Sequence, residues 1–284
     1  MEYQIMCRKS LEMVRNVKNM RAINIEERKS IQIDILKKIH EFCSHSDIKY
    51  SLGYGTLLGA IRHGGYIPWD DDIDIVMLRK DYDKFIADFR DQRYKIASVE
   101  THNEWFLPFA KVYDNNTLIV DRKANTPAIG INVDVFPIDN APNDSKAFMC
   151  HRKKISILVK CNGIKLFKIN RYSTWHNNAI GMFLKLLLVC FPKYYFVHKI
   201  VKMSREFENK ECEKAVYWAS IGTLTVLNKS IYETITTRNF EGICFSSLED
   251  YDTYLTNIYG NYMEIPPIEK RISYHTSDAY WKNE

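Results

Sequence analysis

The residues best suited to chemistry lie between positions 53 and 78, in the stretch GYGTLLGAIRHGGYIPWDDDIDIVML. Its first half is rich in glycine and ends in the basic pair Arg62 and His63, whereas its second half places four aspartates within residues 70–74. Glycines let backbone amides approach a ligand closely, and a helix that begins near Thr56 directs its positive end toward an anion. Carboxylates beside such a turn suggest a divalent cation that holds a phosphate.

The aspartates lead into an apolar strand, where side chains alternate between the two faces. Asp70, Asp72 and Asp74 then share one face, and three carboxylates repel one another unless a cation neutralises them. Asp72 and Asp74 are the predicted metal ligands because the strand fixes them best. The alternative is a solvated acidic turn, which is the usual nature of a run of charge.

Other charged residues also fit phosphate chemistry. Asp134 lies between two valines in an apolar stretch. It is a candidate metal ligand or general base, and the alternative is a hydrogen-bonded structural acid. Arg62, His63 and Lys111 are candidate cations for the charge that spreads over phosphoryl oxygens. The alternatives are a surface ion pair for Arg62 and a helix cap for His63. For Lys111 the alternative is an aliphatic side chain that lies over the sheet with its ammonium group in water. The predicted substrate-binding residues are Gly53, Gly55, Thr56, Arg62, His63 and Lys111.

Some aromatic residues are candidate walls for a nucleotide base or a quaternary ammonium group through cation–π contact. They are Trp69, Trp105 and Tyr113. The alternative is that they are ordinary core aromatics.

Hydrophobic periodicity predicts the elements that position these residues. Residues 25–45 predict a helix whose buried face carries Ile31, Ile35, Ile39 and Phe42. A short strand at KYSLGY, a helix over TLLGAIRH, a strand over DIDIVML and a helix around DYDKFIADFR follow. Segments rich in β-branched or aromatic residues predict further strands of the same sheet, the last ending at Pro137: YKIASV, FAKVYD, TLIVD and GINVDVFPID.

The expected fold class is α+β, with a mixed β-sheet and flanking helices followed by a mostly helical C-terminal half. From about residue 144 the periodicity is helical with basic faces. Residues 1–143 are predicted to form the catalytic core with N-terminal helices. Residues 144–284 are predicted to complete the active site and to offer an acceptor or membrane surface.

The composition is that of a globular protein with reduced thiols. Hydrophobic residues make up 46% of the chain and charged residues 26%, and the formal charge is +5. This charge favours anionic partners without requiring nucleic acid, and no nucleic-acid partner is expected. The seven cysteines form no C-x-x-C pair, which argues against a disulfide framework and for the cytoplasm. Residues 1–22 lack the apolar core of a signal peptide and predict an amphipathic helix.

Residues 181–200 have about the length of a membrane span, but Lys185, Pro192 and Lys193 interrupt it. Two interpretations of this segment stay open, namely helices buried in the core and a helix attached to a membrane surface. The preceding basic residues are either the solvated face of packed helices or a peripheral contact with an anionic membrane. They are Lys153, Lys154, Lys160, Lys165, Lys168 and Arg171.

The run GYGTLLGAIRHGGYIPWDDDID resembles the signature of the LicD family, phosphotransferases that attach phosphocholine to glycans and have fukutin-type relatives that transfer ribitol phosphate. FAKVYDNNTLI, INVDVFPID and YDTYLTNIYGNYMEIPPIEKR are also similar to family segments. The resemblance thus covers most of the chain from about residue 30 to residue 271, whereas residues 150–235 match no family segment. Tyr54 departs from the small residue expected between the glycines, which leaves the shape of the donor pocket open.

The resemblance implies a nucleotidyltransferase-like fold in which three carboxylates hold Mg²⁺, with Mn²⁺ as an alternative. By position these are Asp72, Asp74 and Asp134, the predicted catalytic residues. It further implies transfer of a phospho-substituent, with phosphocholine from CDP-choline as the expected case, to a sugar hydroxyl of a cell-surface glycan precursor. Lipopolysaccharide and teichoic acid are such glycans, and the acceptor can be lipid-linked.

Two alternatives remain beside this expectation. A nucleotidyltransferase would move the nucleoside monophosphate itself, and a non-catalytic relative would bind a metal or a glycan. The expected location is the cytoplasm, with peripheral contact at the inner face of the membrane as an option.

Overall fold

The computed structural model describes residues 20–120, 127–166, 175–220, 224–271 and 277–282, with the backbone alone for 175–178. Of the N-terminal helix predicted for residues 1–22, residues 1–19 lie outside the described residues. Its last predicted residue belongs to a short strand, Ala22–Ile23. The architecture is mixed α+β, as the sequence predicts.

The strands are short, apart from one of ten residues that spans the centre of the molecule. They are β1 (Ala22–Ile23), β2 (Ser51–Leu52), β3 (Asp74–Leu78), β4 (Tyr94–Ala97), β5 (Ala110–Asp114), β6 (Thr117–Val120), β7 (Asn132–Ala141), β8 (Lys214–Val216), β9 (Val226–Asn228), β10 (Ile235–Phe240), β11 (Ile243–Leu248) and β12 (Asp278–Trp281).

The helices flank these strands and dominate residues 145–204. They are α1 (Ile25–His45), α2 (Tyr54–Arg62), α3 (Arg79–Asp88), α4 (Ser145–Leu166), α5 (Trp175–Leu187), α6 (Tyr195–Ser204), α7 (Ser230–Glu233) and α8 (Tyr251–Tyr259), with 3₁₀ turns at Arg205–Phe207 and Ile268–Lys270. Across the described ranges, no helix combines the length and the apolar character needed to cross a bilayer.

Helix α1 forms where its sequence predicts. The Asn24 side chain accepts the N–H of Glu27 at 2.9 Å and the Glu27 side chain accepts the N–H of Asn24 at 3.2 Å, a capping box. Ile31, Ile35 and Ile39 are buried in the main core, which confirms the predicted apolar face. The helix thereby contacts β5 and β7.

A seven-stranded sheet carries the candidate site. Its main path runs β2, β3, β7, β5 and β4, while β8 pairs with β7 and β9 pairs with β8. Strands β3 and β7 are parallel, whereas the other pairs in this sheet are antiparallel. Because β7 reaches across the sheet, its first half borders β3 and β5 and its last residues border β8.

Strand β6 does not belong to this sheet, contrary to the prediction. It pairs with β12, which in turn pairs with β1, in a separate three-stranded sheet. The chain turns away from β5 at Asp114, whose side chain accepts the N–H of Asn116 and whose carbonyl accepts the Thr117 hydroxyl. Gly130 allows the return, since a Cβ there would lie 1.8 Å from the Asp114 carbonyl oxygen.

Pro137 does not end its strand, so the prediction that the strand stops there is wrong. It lies inside β7, opposite Met77 of β3. The antiparallel neighbour β5 pairs with β7 only up to Val135, and β8 begins to pair at Asp139. A missing N–H between these segments interrupts neither antiparallel ladder, so proline is tolerated there.

The second half contains helices and the strands β8 to β12. Helices α4 and α6 pack around a smaller core that includes Ile155, Ile200 and Trp218. Arg79 of α3 donates twice to Asp139 of β7, at 2.7 and 2.9 Å, and Arg205 donates twice to Asp83 of α3, both at 2.6 Å. These bidentate pairs connect the two cores. The domain boundary near residue 143 stays a prediction.

Candidate active site

Strand pairing places Asp74, Asp134 and Lys111 side by side. Asp134 is the partner of Asp74 in the ladder of β3 and β7, and Lys111 is the partner of Asp134 in the ladder of β7 and β5. Lys111 Nζ donates to Asp134 Oδ1 at 2.6 Å and to Asn132 Oδ1 at 3.0 Å. Since paired strands lie about 4.8 Å apart, these residues form one charged row across the sheet.

Two hydrogen bonds join the glycine-containing turn to this row. The Gly53 N–H donates to the Asp74 carbonyl at 2.9 Å, and the Asp74 N–H donates to Thr56 Oγ1 at 2.8 Å. A Cβ at Gly53 would come within 2.8 Å of Val76 Cγ1, so the close approach of turn and strand needs glycine. The first turn of α2 therefore begins beside Asp74.

The aspartate run alternates between buried and partly exposed positions. Residues 71 and 73 are buried, whereas residues 70, 72 and 74 are partly exposed, which confirms the predicted alternation. Strand β3 begins only at Asp74, so Asp72 precedes the regular strand. Asp72 still lies near the row, because it lines one cavity with Asp134 and its charge raises the pKa of Asp74.

The other two aspartates of the run have structural neighbours. Asp71 is buried and forms an ion pair with Arg28 at 3.1 Å. Asp70 Oδ2 lies 2.8 Å from where a Cβ on Gly55 would be, in the first turn of α2. Negative charge is favourable at the N-terminus of a helix, so Asp70 suits this place without a metal.

The row has an excess of negative charge. Burial raises the pKa of Asp74 well above its usual range, and the negative charges of Asp72 and Asp134 raise this pKa further. Lys111 lowers the same pKa and so offsets part of the repulsion. A further cation beside Asp74 would favour its ionised form.

The donor set fits Mg²⁺ or Mn²⁺ if phosphate oxygens complete the shell. Mg²⁺ usually takes one or two carboxylates together with substrate phosphates and water. Among the described residues, no three acidic, histidine or cysteine side chains converge closely enough to hold a metal by themselves. Lys111 occupies one oxygen of Asp134 in this arrangement. The metal-ligand roles of Asp72, Asp74 and Asp134 stay a prediction.

A cavity of about 250 Å³ opens beside the row. Asp72, Asp134 and Lys111 line it together with apolar residues such as Phe106 and Ile129. Charged groups at one side of an apolar pocket are typical of small-molecule sites. The cavity therefore leaves the carboxylates of Asp72 and Asp134 open to a small molecule.

Arg62 and His63 have roles within the fold. Arg62 Nη1 donates to the carbonyl oxygens of Tyr262 and Glu264 at 2.6 and 3.1 Å, and so holds the segment after α8. His63 caps α2 through its N–H, and burial, with the charge of Arg62, lowers its pKa. Contact of either side chain with phosphate stays a prediction, as do the binding roles of Gly53, Gly55, Thr56 and Lys111.

Of the three predicted aromatic walls, Trp105 lines the cavity beside the row, whereas Trp69 and Tyr113 lie elsewhere. The Trp105 ring is buried and its N–H donates to the Phe109 carbonyl at 2.8 Å. Trp69 contacts His63 and Arg271, and Tyr113 lines a different cavity beside β4. Their contact with a base or an ammonium group stays a prediction.

Sequence reasoning missed another aromatic group beside the row. Phe136 follows Asp134 by two residues and Phe109 precedes Lys111 by two, and both rings contact Tyr217. The spacing of two residues on a strand is the signal that could have identified the two phenylalanines. No local pattern indicates Tyr217, which is distant in sequence.

The mixed sheet with flanking helices fits a nucleotidyltransferase-like fold, and comparison with known proteins agrees. The family model described as LicD/FKTN/FKRP, nucleotidyltransferase domain, matches residues 47–161, which include every predicted site residue. The lipopolysaccharide cholinephosphotransferase LicD of Haemophilus influenzae is 29% identical over 272 residues, which cover 92% of this chain and 99% of that protein. This chain is thus similar to the LicD/FKTN/FKRP nucleotidyltransferase domain over residues 47–161 and to that cholinephosphotransferase along nearly its whole length.

Shorter similarities extend to Rickettsia. An uncharacterized protein of Rickettsia typhi is 36% identical over 87 residues, which cover 29% of this chain and 27% of that protein. One of Rickettsia prowazekii is 36% identical over 72 residues, which cover 24% of this chain and 27% of that protein. These matches add no statement of activity.

We expect Asp74→Asn to raise the melting temperature of the metal-free protein at pH 7 to 8. A carboxyl group whose folded pKa is raised stabilises the fold at low pH, and this stability is lost as the pH rises through the folded pKa. Asparagine cannot ionise, so the variant avoids this loss of stability. Each kcal/mol of stability gained raises the melting temperature by about 2–4 °C for a chain of this size. Thermal unfolding in EDTA measures the effect, which should shrink as the pH falls toward 4.

Asp88→Asn, at an exposed position in the last turn of α3, is the matched control. It should leave the melting temperature unchanged across the same pH range. A lower melting temperature for Asp74→Asn at pH 8 would contradict the charge excess.

Proposed function

We propose that this protein is a phosphotransferase that moves phosphocholine from CDP-choline to a sugar hydroxyl of lipopolysaccharide or a related cell-surface glycan precursor. The observation that carries the proposal is the row of Asp74, Asp134 and Lys111 in a chain that aligns with a lipopolysaccharide cholinephosphotransferase over 92% of its length. Clustered carboxylates beside a lysine suit phosphoryl transfer, where catalysis is mainly positioning and electrostatics. We therefore assign the reaction to this row.

Asp134 is the proposed acceptor of the hydroxyl proton. The acceptor oxygen forms a bond to the phosphorus that carries choline, the bond from this phosphorus to the bridging oxygen breaks, and CMP leaves with the electron pair. The ammonium group of Lys111, 2.6 Å from Asp134 Oδ1, favours a carboxylate at this position, which a general base requires. Asp134 can then take the proton as the new bond forms.

Asp72, Asp74 and Asp134 are the proposed Mg²⁺ ligands. When bound, the ion would neutralise charge on the pyrophosphate and make the nucleotide a better leaving group. Lys111 uses two hydrogen bonds for Asn132 and Asp134, so its third N–H is available for a donor phosphate. The first turn of α2 directs its positive end toward the same anion.

A second candidate is a nucleotidyltransferase that moves the nucleoside monophosphate itself. The description of the matching family model, which names a nucleotidyltransferase domain, favours it. The two reactions differ in their products, because phosphocholine transfer releases CMP and nucleotidyl transfer releases phosphocholine.

Incubation with Mg²⁺ and a panel of CDP-alcohols, with and without glycan acceptors, tests the proposal. CDP-choline, CDP-ethanolamine and CDP-glycerol are the donors, and lipopolysaccharide and its delipidated saccharide are the acceptors. We expect CMP release that requires Mg²⁺, and an acceptor whose mass rises by one phosphocholine group. Release of phosphocholine would show nucleotidyl transfer, and no turnover with any donor would support a non-catalytic relative.

In the same assay, Asp72→Asn and Asp74→Asn should each lower turnover about 100-fold or more, because each removes charge from the metal site. Asp88→Asn is again the matched control. Near-wild-type turnover of either site variant would show that the D-x-D assignment is wrong. Melting curves distinguish loss of the site from loss of the fold.

A further inference from the structure

Four aromatic rings form a connected group beside the charged row. Phe109 stacks on Phe136 with ring centroids 4.4 Å apart, and Tyr54 and Tyr217 meet Phe136 edge-on at 5.1 and 5.2 Å. We call these four residues the aromatic group. It is assembled from the first residue of α2, the sheet strand β7, and the residues that border β5 and β8.

The aromatic group lies on the same side of the sheet as the row. Alternate residues of a strand share a face, so Phe136 accompanies Asp134 and Phe109 accompanies Lys111. Lys111 Nζ lies 5.7 Å from the centroid of the Phe109 ring, within cation–π distance. The aromatic group therefore already contacts one cation at its edge.

All four residues of the aromatic group are half-buried, unlike core aromatics such as Tyr254, Phe240 and Phe245, which are fully buried. Tyr54 also has a φ angle of 43°, in the left-handed region that is costly for a side chain of this size. The N–H of Tyr54 donates to the Tyr254 hydroxyl at 3.3 Å, which helps to hold this conformation. Strain at Tyr54 and the partial exposure of all four rings favour a binding role in addition to the packing of Tyr54, Phe136 and Tyr217 against the main core.

We propose that the aromatic group binds the quaternary ammonium group of the donor while the row holds its phosphates. This inference rests on the proposed function. Residues i and i+2 of a strand are about 6.6 Å apart, a distance comparable to that between phosphorus and nitrogen across the two-carbon linker of phosphocholine. A phosphate beside Asp134 thus places the methylated nitrogen against Phe136 and its neighbours, whose faces attract cations.

Donor selectivity tests this subsite. CDP-choline and CDP-ethanolamine share the nucleotide and the linker and differ in the three methyl groups on nitrogen. We expect Tyr217→Leu and Phe109→Leu each to raise KM for CDP-choline about tenfold more than KM for CDP-ethanolamine. Tyr217→Phe keeps the ring and should retain the selectivity. Phe148→Leu, which alters a ring that packs on Trp218 in the smaller core, should also retain it.

The outcomes separate the subsite from the proposed function. A wild-type protein that prefers CDP-choline, with a preference that survives both Tyr217→Leu and Phe109→Leu, overturns the subsite alone. A wild-type protein that prefers CDP-glycerol to both amine donors overturns the proposed function as well. If the melting curve shows that Tyr217→Leu does not fold, the donor selectivity of Phe109→Leu decides whether the aromatic group is the subsite.

A separate observation concerns α5 and the turn that follows it. Of the described side chains of α5, residues 179–187, none is buried. Six large apolar side chains in and after this helix are more than half exposed: Ile180, Met182, Phe183, Leu186, Leu187 and Val189. We call these six residues the apolar patch. A contiguous patch of this kind marks a contact surface.

Basic residues and tyrosines follow the apolar patch along the chain. Lys193, Lys199 and Lys202 line a cavity of about 560 Å³ together with Tyr194 and Tyr195. Lys153, Lys154 and Lys160 are exposed on α4, which contacts α5. Lys165 instead donates to the carbonyl oxygens of Leu188 and Phe191, and Lys168 and Arg171 lie outside the described residues. Apolar side chains beside lysines match an anionic bilayer, where the former enter the headgroup region and the latter meet lipid phosphates.

We infer that the apolar patch docks on an anionic membrane surface, which would keep the enzyme near a lipid-linked acceptor. Co-sedimentation of the full chain with vesicles of phosphatidylcholine, with and without phosphatidylglycerol, tests this. We expect binding only to the anionic vesicles, loss at high salt, and about tenfold weaker binding for the double variant Phe183→Ser and Leu186→Ser. Ile268→Ser, at an exposed site elsewhere, should bind like the wild type.

Three results would overturn the membrane inference. The first is no binding to anionic vesicles at low salt. The second is a dimer of the wild-type protein that the double variant abolishes, because a second copy would then cover the patch. The third is vesicle binding that appears only after removal of residues 1–19, because that segment would then cover the patch in the full chain.

Discussion

Two carboxylates held opposite each other on neighbouring strands are the constraint on which this site depends. The parallel pairing of β3 and β7 sets Asp74 against Asp134, and burial with mutual repulsion raises the pKa of Asp74. Such an arrangement weakens the metal-free fold, and proteins keep groups of this kind where function requires them. Lys111, supplied by β5 on the other side of Asp134, offsets part of the charge.

The part of the chain after the matched family domain completes this arrangement. Tyr217 follows β8, which extends the central sheet from the end of β7. The Tyr254 hydroxyl accepts the N–H of Tyr54, and the segment after α8 accepts two hydrogen bonds from Arg62. Similarity to the Haemophilus protein along nearly the whole chain is consistent with a site that needs both halves.

Local patterns in the sequence predict the elements and the faces of the residues near the site. The alternation of residues 70–74, the apolar face of α1 and the isolated acid at position 134 are all visible in short windows, because side-chain direction follows the period of the element. The structure confirms the alternation and the buried face, and it places Asp134 beside Asp74.

Pairing between distant segments is what the sequence did not predict. Strand β6 pairs with β12, more than 150 residues later, and Pro137 is tolerated because β7 exchanges one antiparallel partner for another around it. Tyr217 joins Phe109 and Phe136 only through the pairing of β7 with β8. Local periodicity carries no information about these partners, since they depend on the register of the whole sheet.

Direct detection of a cation at the charged row is the most decisive measurement. Mn²⁺ can replace Mg²⁺ at oxygen ligands, and the electron paramagnetic resonance signal of free Mn²⁺ falls as the ion binds protein. With CDP-choline present, the wild-type chain should bind one Mn²⁺, Asp74→Asn should bind it about 100-fold more weakly, and Asp88→Asn should bind it like the wild type. Equal Mn²⁺ affinity of Asp74→Asn and the wild type would contradict a metal site at this row.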